Sequence, residues 1–148
     1  MSATSKSRSG LQRLLSIGAL IIIGLGVLGF LSPLPATAAN NSAADVAMQV
    51  DVDTYTKLLR TFDPNGQAIV SVEADPFVRG RVVLEVSNAW HYDPKPIRLQ
   101  ATQSLWEGWA TIHNPDEPDK ARIKLVDARG NQVGGSRTLA GSLLYVDD

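Results

Sequence analysis

The chain of 148 residues is 44% hydrophobic and 20% charged and contains no cysteine. That allows one domain and excludes a disulfide scaffold, a thiolate metal centre and a cysteine nucleophile. The net charge of −1 is unevenly spread. Lys6, Arg8 and Arg13 precede a hydrophobic stretch and all fifteen acidic residues follow it, so residues 39–148 carry eleven basic against fifteen acidic side chains. A body of net charge −4 lacks the concentrated basic face that phosphate backbones require, and no nucleic-acid partner is expected.

Leu14 to Leu31 (LLSIGALIIIGLGVLGFL) hold one polar side chain, Ser16, and are followed by Pro33, Pro35 and Ala36-Thr37-Ala38. A basic flank, an apolar run and a small-residue A-x-A site form the pattern of a secretory signal peptide cleaved after Ala38. The alternative is a retained N-terminal transmembrane anchor, because 18 helical residues span about 27 Å of a hydrocarbon core about 30 Å thick. Gly18, Gly24, Gly26 and Gly29 weaken a permanent span. In the anchor case the basic flank stays cytoplasmic, and membrane contact runs only through residues 14–31. Both readings export the rest of the chain to the periplasm or another extracytoplasmic compartment.

Residues 39–45 are small and polar and read as a flexible leader to a single domain over 46–148. Val46, Met48, Val50 and Val52 alternate like a half-buried strand, whereas Tyr55, Leu58, Leu59 and Phe62 have helical spacing, with Asp53 as a candidate cap. Asp63-Pro64-Asn65-Gly66 is a turn that either ends that helix or joins a hairpin. Residues 67–73 and 81–87 read as strands. A long amphipathic helix is expected over about 93–113, with Asp93 as N-cap, Pro94 in the first position and a buried stripe of Ile97, Ala101, Leu105, Trp109 and Ile112 widened by Trp106 and Ala110. Arg98 and Ser104 are placed on its outer surface. Residues 121–127 read as a strand, and two more are expected near 132–133 and over 138–146, separated by a glycine turn. Short strands with tight turns favour antiparallel pairing, so the expected fold is α+β: a small antiparallel sheet with the helix on one face, in the core order β-β-α-β-β.

Two loops are the candidate binding sites. Trp90, His91, Tyr92 and Asp93 join a strand end to a helix start, where an anion or a sugar can dock beside the helix N-terminus. Gly134, Gly135, Ser136 and Arg137 read as a glycine turn able to cradle a small ligand or anion. Trp106 and Trp109, on the helix, read as core. His113 is explained by the helix dipole, which favours a cation at the C-terminus. The sequence holds two histidines and no HExxH spacing, so no metal is assigned; no cofactor and no catalytic residue are assigned either. No G-x-S-x-G elbow occurs around Ser136.

The segments LWEGWATIH (105–113) and RIKLVDARGNQVGGSRTLAGSLLYV (122–146) resemble the C-terminal part of short, uncharacterised exported bacterial proteins, with VGGSR…AGSL as the most distinctive block. The resemblance covers roughly residues 80–148. It implies export and a compact small domain, and it carries no activity. The leading expectation is an exported non-enzymatic binding or accessory module of the bacterial cell envelope, with a protein or envelope component as partner. The alternatives are an envelope hydrolase using His91 with Glu85 or Asp93, and a small-ligand or anion binder at Gly134–Arg137.

Overall fold

A computed structural model describes residues 39–148. The expected signal peptide or anchor, with its cleavage point, lies outside the described residues. Among these, helix α1 (Ala39–Phe62) is followed by strands β1 (Ile69–Ala74) and β2 (Arg81–Val86), helix α2 (Lys95–His113) and strands β3 (Arg122–Val126), β4 (Gln132–Ser136) and β5 (Leu144–Val146). Short 3-10 turns occupy Asn88–Tyr92 and Pro118–Lys120. The strands form one sheet in the order β1-β2-β3-β4-β5, and the class is α+β with helix packed on sheet. No helix among the described residues is long and apolar enough to cross a membrane.

The sheet is mixed rather than purely antiparallel. β2 and β3 run parallel, with Val82 opposite Ile123 and Leu84 opposite Leu125, while the other neighbours are antiparallel. The reason is the connection: α2 carries the chain back along the sheet between β2 and β3, and a helical crossover returns the next strand in the same direction. Tight turns govern only β1–β2 and β3–β4–β5.

Residues 46–52 are helical, not a strand, and α1 also takes in residues 39–45. Val52, Tyr55 and Leu59 enter the core with Met48 packed beside them, a stripe spaced for a helix, while Val46 and Val50 remain 63% and 56% exposed. The apparent alternation thus mixes two faces of one helix. Asp53 lies within α1 and accepts a hydrogen bond from Gln49 rather than capping an end.

Asp63 ends α1. Its buried carboxylate accepts the backbone N–H groups of Gln67 (2.7 Å), Ala68 (2.9 Å) and Ile69 (2.9 Å), which turns the chain into β1. Arg60, one turn earlier, donates to the carbonyls of Ile69 (2.7 Å) and Val70 (2.8 Å), so the sheet's outer edge is pinned to the helix.

α2 begins at Lys95 with Pro94, not Asp93, in the N-cap position. Ala101, Leu105, Trp106, Trp109 and Ala110 are buried as their spacing implies. Arg98 and Ser104 are buried too, against expectation, and Leu99 is exposed instead. Arg98 turns inward because the C-terminal tail supplies a counter-charge: its guanidinium donates to the Asp147 carboxylate and, at 3.1 Å, to the Asp147 carbonyl. The two helices meet at Tyr55, whose buried hydroxyl donates to the Leu105 carbonyl at 2.7 Å and whose ring lies 5.5 Å from that of Trp109. Burial pushes the Tyr55 hydroxyl above its ordinary range, so it stays a donor at any ordinary pH.

Candidate binding groove

Of the two segments singled out in the sequence, one is a 3-10 turn ahead of α2 and the other lies largely in β4. Trp90 is 1% exposed and fills one end of the core, while His91 and Tyr92 face solvent. The helix start beside them is poor in donors. Pro94 and Pro96 have no N–H, and the N–H groups of Ile97 and Arg98 are taken by the Pro94 carbonyl. Asp93 donates its N–H back to Trp90 and closes the 3-10 turn. Glu85 accepts a hydrogen bond from Ser71 on the sheet.

Gly134, Gly135 and Ser136 are residues of strand β4, not a turn, paired with β3 on one side and β5 on the other. Their backbone groups are thus drawn into the ladder rather than into an anion nest. Gly135 has φ of 136°, and a Cβ there would stand 2.5 Å from the Ile123 carbonyl oxygen. Glycine is needed so that β4 can approach β3, which is the signal that sequence reading took for a turn. The Ser136 hydroxyl accepts the Ile123 N–H at 3.1 Å. Arg137 lies over the Tyr145 ring at 5.4 Å.

The structure instead opens a two-lobed groove between the N-terminal half of α1, the β1–β2 loop and the end of α2. One lobe, about 480 Å³, is lined by Met48, Asp51, Arg79, His113, Asn114 and Lys120 among others. The second, about 570 Å³, runs along Met48, Ala74, Pro76 and Phe77. Ala44, Met48, Arg79 and Gly80 border both, so the lobes join there.

Each wall is held in place. Asp75 accepts the N–H groups of Phe77 (2.8 Å) and Val78 (3.0 Å) and pairs with Arg81 at 2.7 Å, which shapes the loop that presents Phe77 and Arg79. Burial pushes the Asp75 carboxyl up, but the Phe77 N–H, the Arg81 guanidinium and the Val78 N–H together hold it below the usual carboxylate range. Phe77 is 92% exposed. Arg79 is exposed and makes no hydrogen bond or ion pair among the described residues.

His113, the last residue of α2, stacks on Trp109 with ring centroids 4.7 Å apart and planes 12° from parallel. Its Nδ1 lies 2.8 Å from the Asp51 carboxylate, so Nδ1 carries the proton and the ring orientation is fixed from two sides. The other ring nitrogen, Nε2, faces Gly80, where a Cβ would come within 3.1 Å of it. A larger residue at position 80 would crowd that nitrogen. No group of three or more histidine, aspartate, glutamate or cysteine side chains suited to a metal gathers among the described residues.

Sequence reading did not single out Asp51, Phe77, Arg79 or Lys120, which line the groove, and gave His113 a helix-dipole role. Asp51 and His113 are far apart in the chain, and no local spacing connects them. The residues define an α+β domain with a groove at one end of its helix pair. Comparison with protein-family models, with curated proteins and with solved structures yields no match in any of the three.

Proposed function

We propose that the protein is an exported, non-enzymatic binding module of the bacterial cell envelope, working through the groove between α1 and the β1–β2 loop on a protein or envelope component. The observation that carries this reading is the junction at Arg79–Gly80, where a cation without a hydrogen bond or ion pair among the described residues lines the same lobe as the nearly fully exposed Phe77. Exposed aromatic and arginine side chains at a concave site are the groups that contribute most to recognition. The N-terminal pattern of residues 1–38 supports export.

A photo-crosslinking residue at position 77, with a second variant at position 92 as the comparison, tests it in cells. A discrete adduct from position 77 and none from 92 is the expected result. An adduct from position 92 only would return the working face to the Trp90–Asp93 corner, and none from either would refute the binding reading.

A second reading, hydrolysis, is favoured by the Asp51–His113 hydrogen bond, which orients an imidazole as a general base is oriented. Among the described residues that line the groove there is no serine, threonine or cysteine, so the base would act on water.

A further inference from the structure

Two exposed apolar loop tips and the start of α1 converge on one end of the sheet. β2 starts at Arg81, directly after the loop that carries Phe77, and lies in register with β3, which starts at Arg122. Ser136, at the end of β4, accepts the Ile123 N–H, so the β4–β5 loop leaves the sheet at this same end. Its tip is Leu139, 90% exposed, much like Phe77. The two loops stand three strand spacings apart, about 14 Å. α1 also starts here: Ala44, Asp45 and Met48 border the Phe77 loop, whereas Asp63, just past its last turn, bonds to the start of β1 at the far end.

Both loops are braced at their roots. Asp75 accepts the N–H groups of Phe77 and Val78. Arg122 donates to the carbonyls of Arg137 (3.1 Å) and Thr138 (2.7 Å), and the Gly141 N–H donates to the Asp119 carbonyl at 2.8 Å. The tips are thereby held outward, where neither side chain gains burial within the domain. Apolar groups presented in this way mark a surface that meets another apolar phase.

The sequence indicates which phase. The apolar run Leu14–Leu31 ends seven residues ahead of Ala39, and a connection of that length reaches at most about 25 Å. We propose that, with residues 14–31 retained as an anchor, this end of the domain lies against the bilayer, and Phe77 and Leu139 enter its interface. The contact goes beyond the groove reading and shares only Phe77 with it. Charge does not lead it. Outside the pairs Arg81–Asp75, Lys120–Glu117 and His113–Asp51, the cations Arg79, Arg122 and Arg137 are matched at this end by the exposed carboxylates Asp45, Asp116 and Asp119. The apolar tips therefore set the orientation.

The chain has no cysteine, so a single introduced thiol carries a nitroxide at one chosen place. The full chain, as Phe77→Cys, Leu139→Cys or Tyr92→Cys, is reconstituted in nanodiscs of phosphatidylcholine, with and without phosphatidylglycerol. Tyr92 is the control, 88% exposed but at the opposite end of the sheet, beyond β2. Collision of the label with oxygen, which concentrates in lipid, against collision with a water-soluble nickel chelate reads its depth. Labels at 77 and 139 should be embedded in both lipids, and the label at 92 should be aqueous. Phe77→Ser should lower the ratio of embedded to aqueous label at 139 about tenfold, for want of the second tip.

The proposal is overturned if either tip label is as aqueous as the label at 92, if embedding needs the anionic lipid, or if Phe77→Ser leaves the ratio at 139 unchanged. A chain isolated from its own cells without residues 1–38 would overturn it too. Embedded tips with no protein adduct from position 77 would uphold the membrane contact and remove the groove reading. Aqueous tips with such an adduct would do the reverse.

Discussion

Replacing Asp63 by alanine withdraws one acceptor from three backbone N–H groups at once. The donors of Ala68 and Ile69 lie in buried residues, each 2.9 Å from the carboxylate, and in the variant water reaches them poorly. Hydrogen bonds to a charged group contribute about 1.5–3 kcal/mol each. The Gln67 N–H belongs to an exposed residue and rehydrates, so its loss costs little. Two buried donors, counted with some relaxation of the turn, give about 3–4 kcal/mol, a large part of the 5–15 kcal/mol typical of a domain. In a urea titration the midpoint should fall by about 2 M with the slope unchanged. Asp63→Asn keeps one carbonyl oxygen and should lose about half as much. Amide exchange at Ala68 and Ile69 should quicken in step. A loss below about 1 kcal/mol for the alanine variant would refute the reasoning, since it would mean that the turn into β1 holds without its carboxylate.

Gly135→Ala places a methyl group against the Ile123 carbonyl at a backbone angle that side chains rarely adopt, and it should cost about 3 kcal/mol or more. Urea unfolding checks it, and a loss under about 1 kcal/mol would show that β4 can shift away from β3 cheaply. Asp75 titrates below its ordinary value when folded, so its contribution is complete above the unfolded pKa and is lost as pH falls through the folded one. The stability gap between the unaltered protein and Asp75→Asn should therefore be constant near neutrality and close below about pH 4. A gap that persists in acid would mean that the carboxylate charge contributes nothing there.

Much of the fold was legible wherever one face of an element meets the core along its whole length. β2 and β3 bury Val82, Leu84, Ile123 and Leu125 at alternate positions, and α2 buries Ala101, Leu105 and Trp109 at helical spacing. α1 was half legible because its N-terminal turns extend past the core, where Val46 and Val50 face solvent and imitate a strand. The glycines of β4 were misread because composition cannot distinguish a strand that needs close approach from a turn that needs freedom. The groove was least legible. Its cation comes from a loop, its imidazole from the end of α2 and its orienting carboxylate from α1, so it exists only after α1 has crossed α2. Residue types such as Arg79 and Lys120 carry no mark of where tertiary packing will bring them.

The parallel seam between β2 and β3 also has a kinetic meaning. The β1–β2 hairpin and the β3–β4–β5 meander each pair locally, but Val82 meets Ile123 only after α2 has formed and folded over. Until then each half presents an open strand edge, with Val82 and Leu84 on one and Ile123 and Leu125 on the other. Those edges match each other within one molecule, and they match equally well between two. The loop between His113 and Arg122 is the connection that would have to span from one molecule to the other. Two chains emerging side by side at high concentration can exchange their β3–β5 halves across this seam, and a dimer built that way would contain every contact of the monomer.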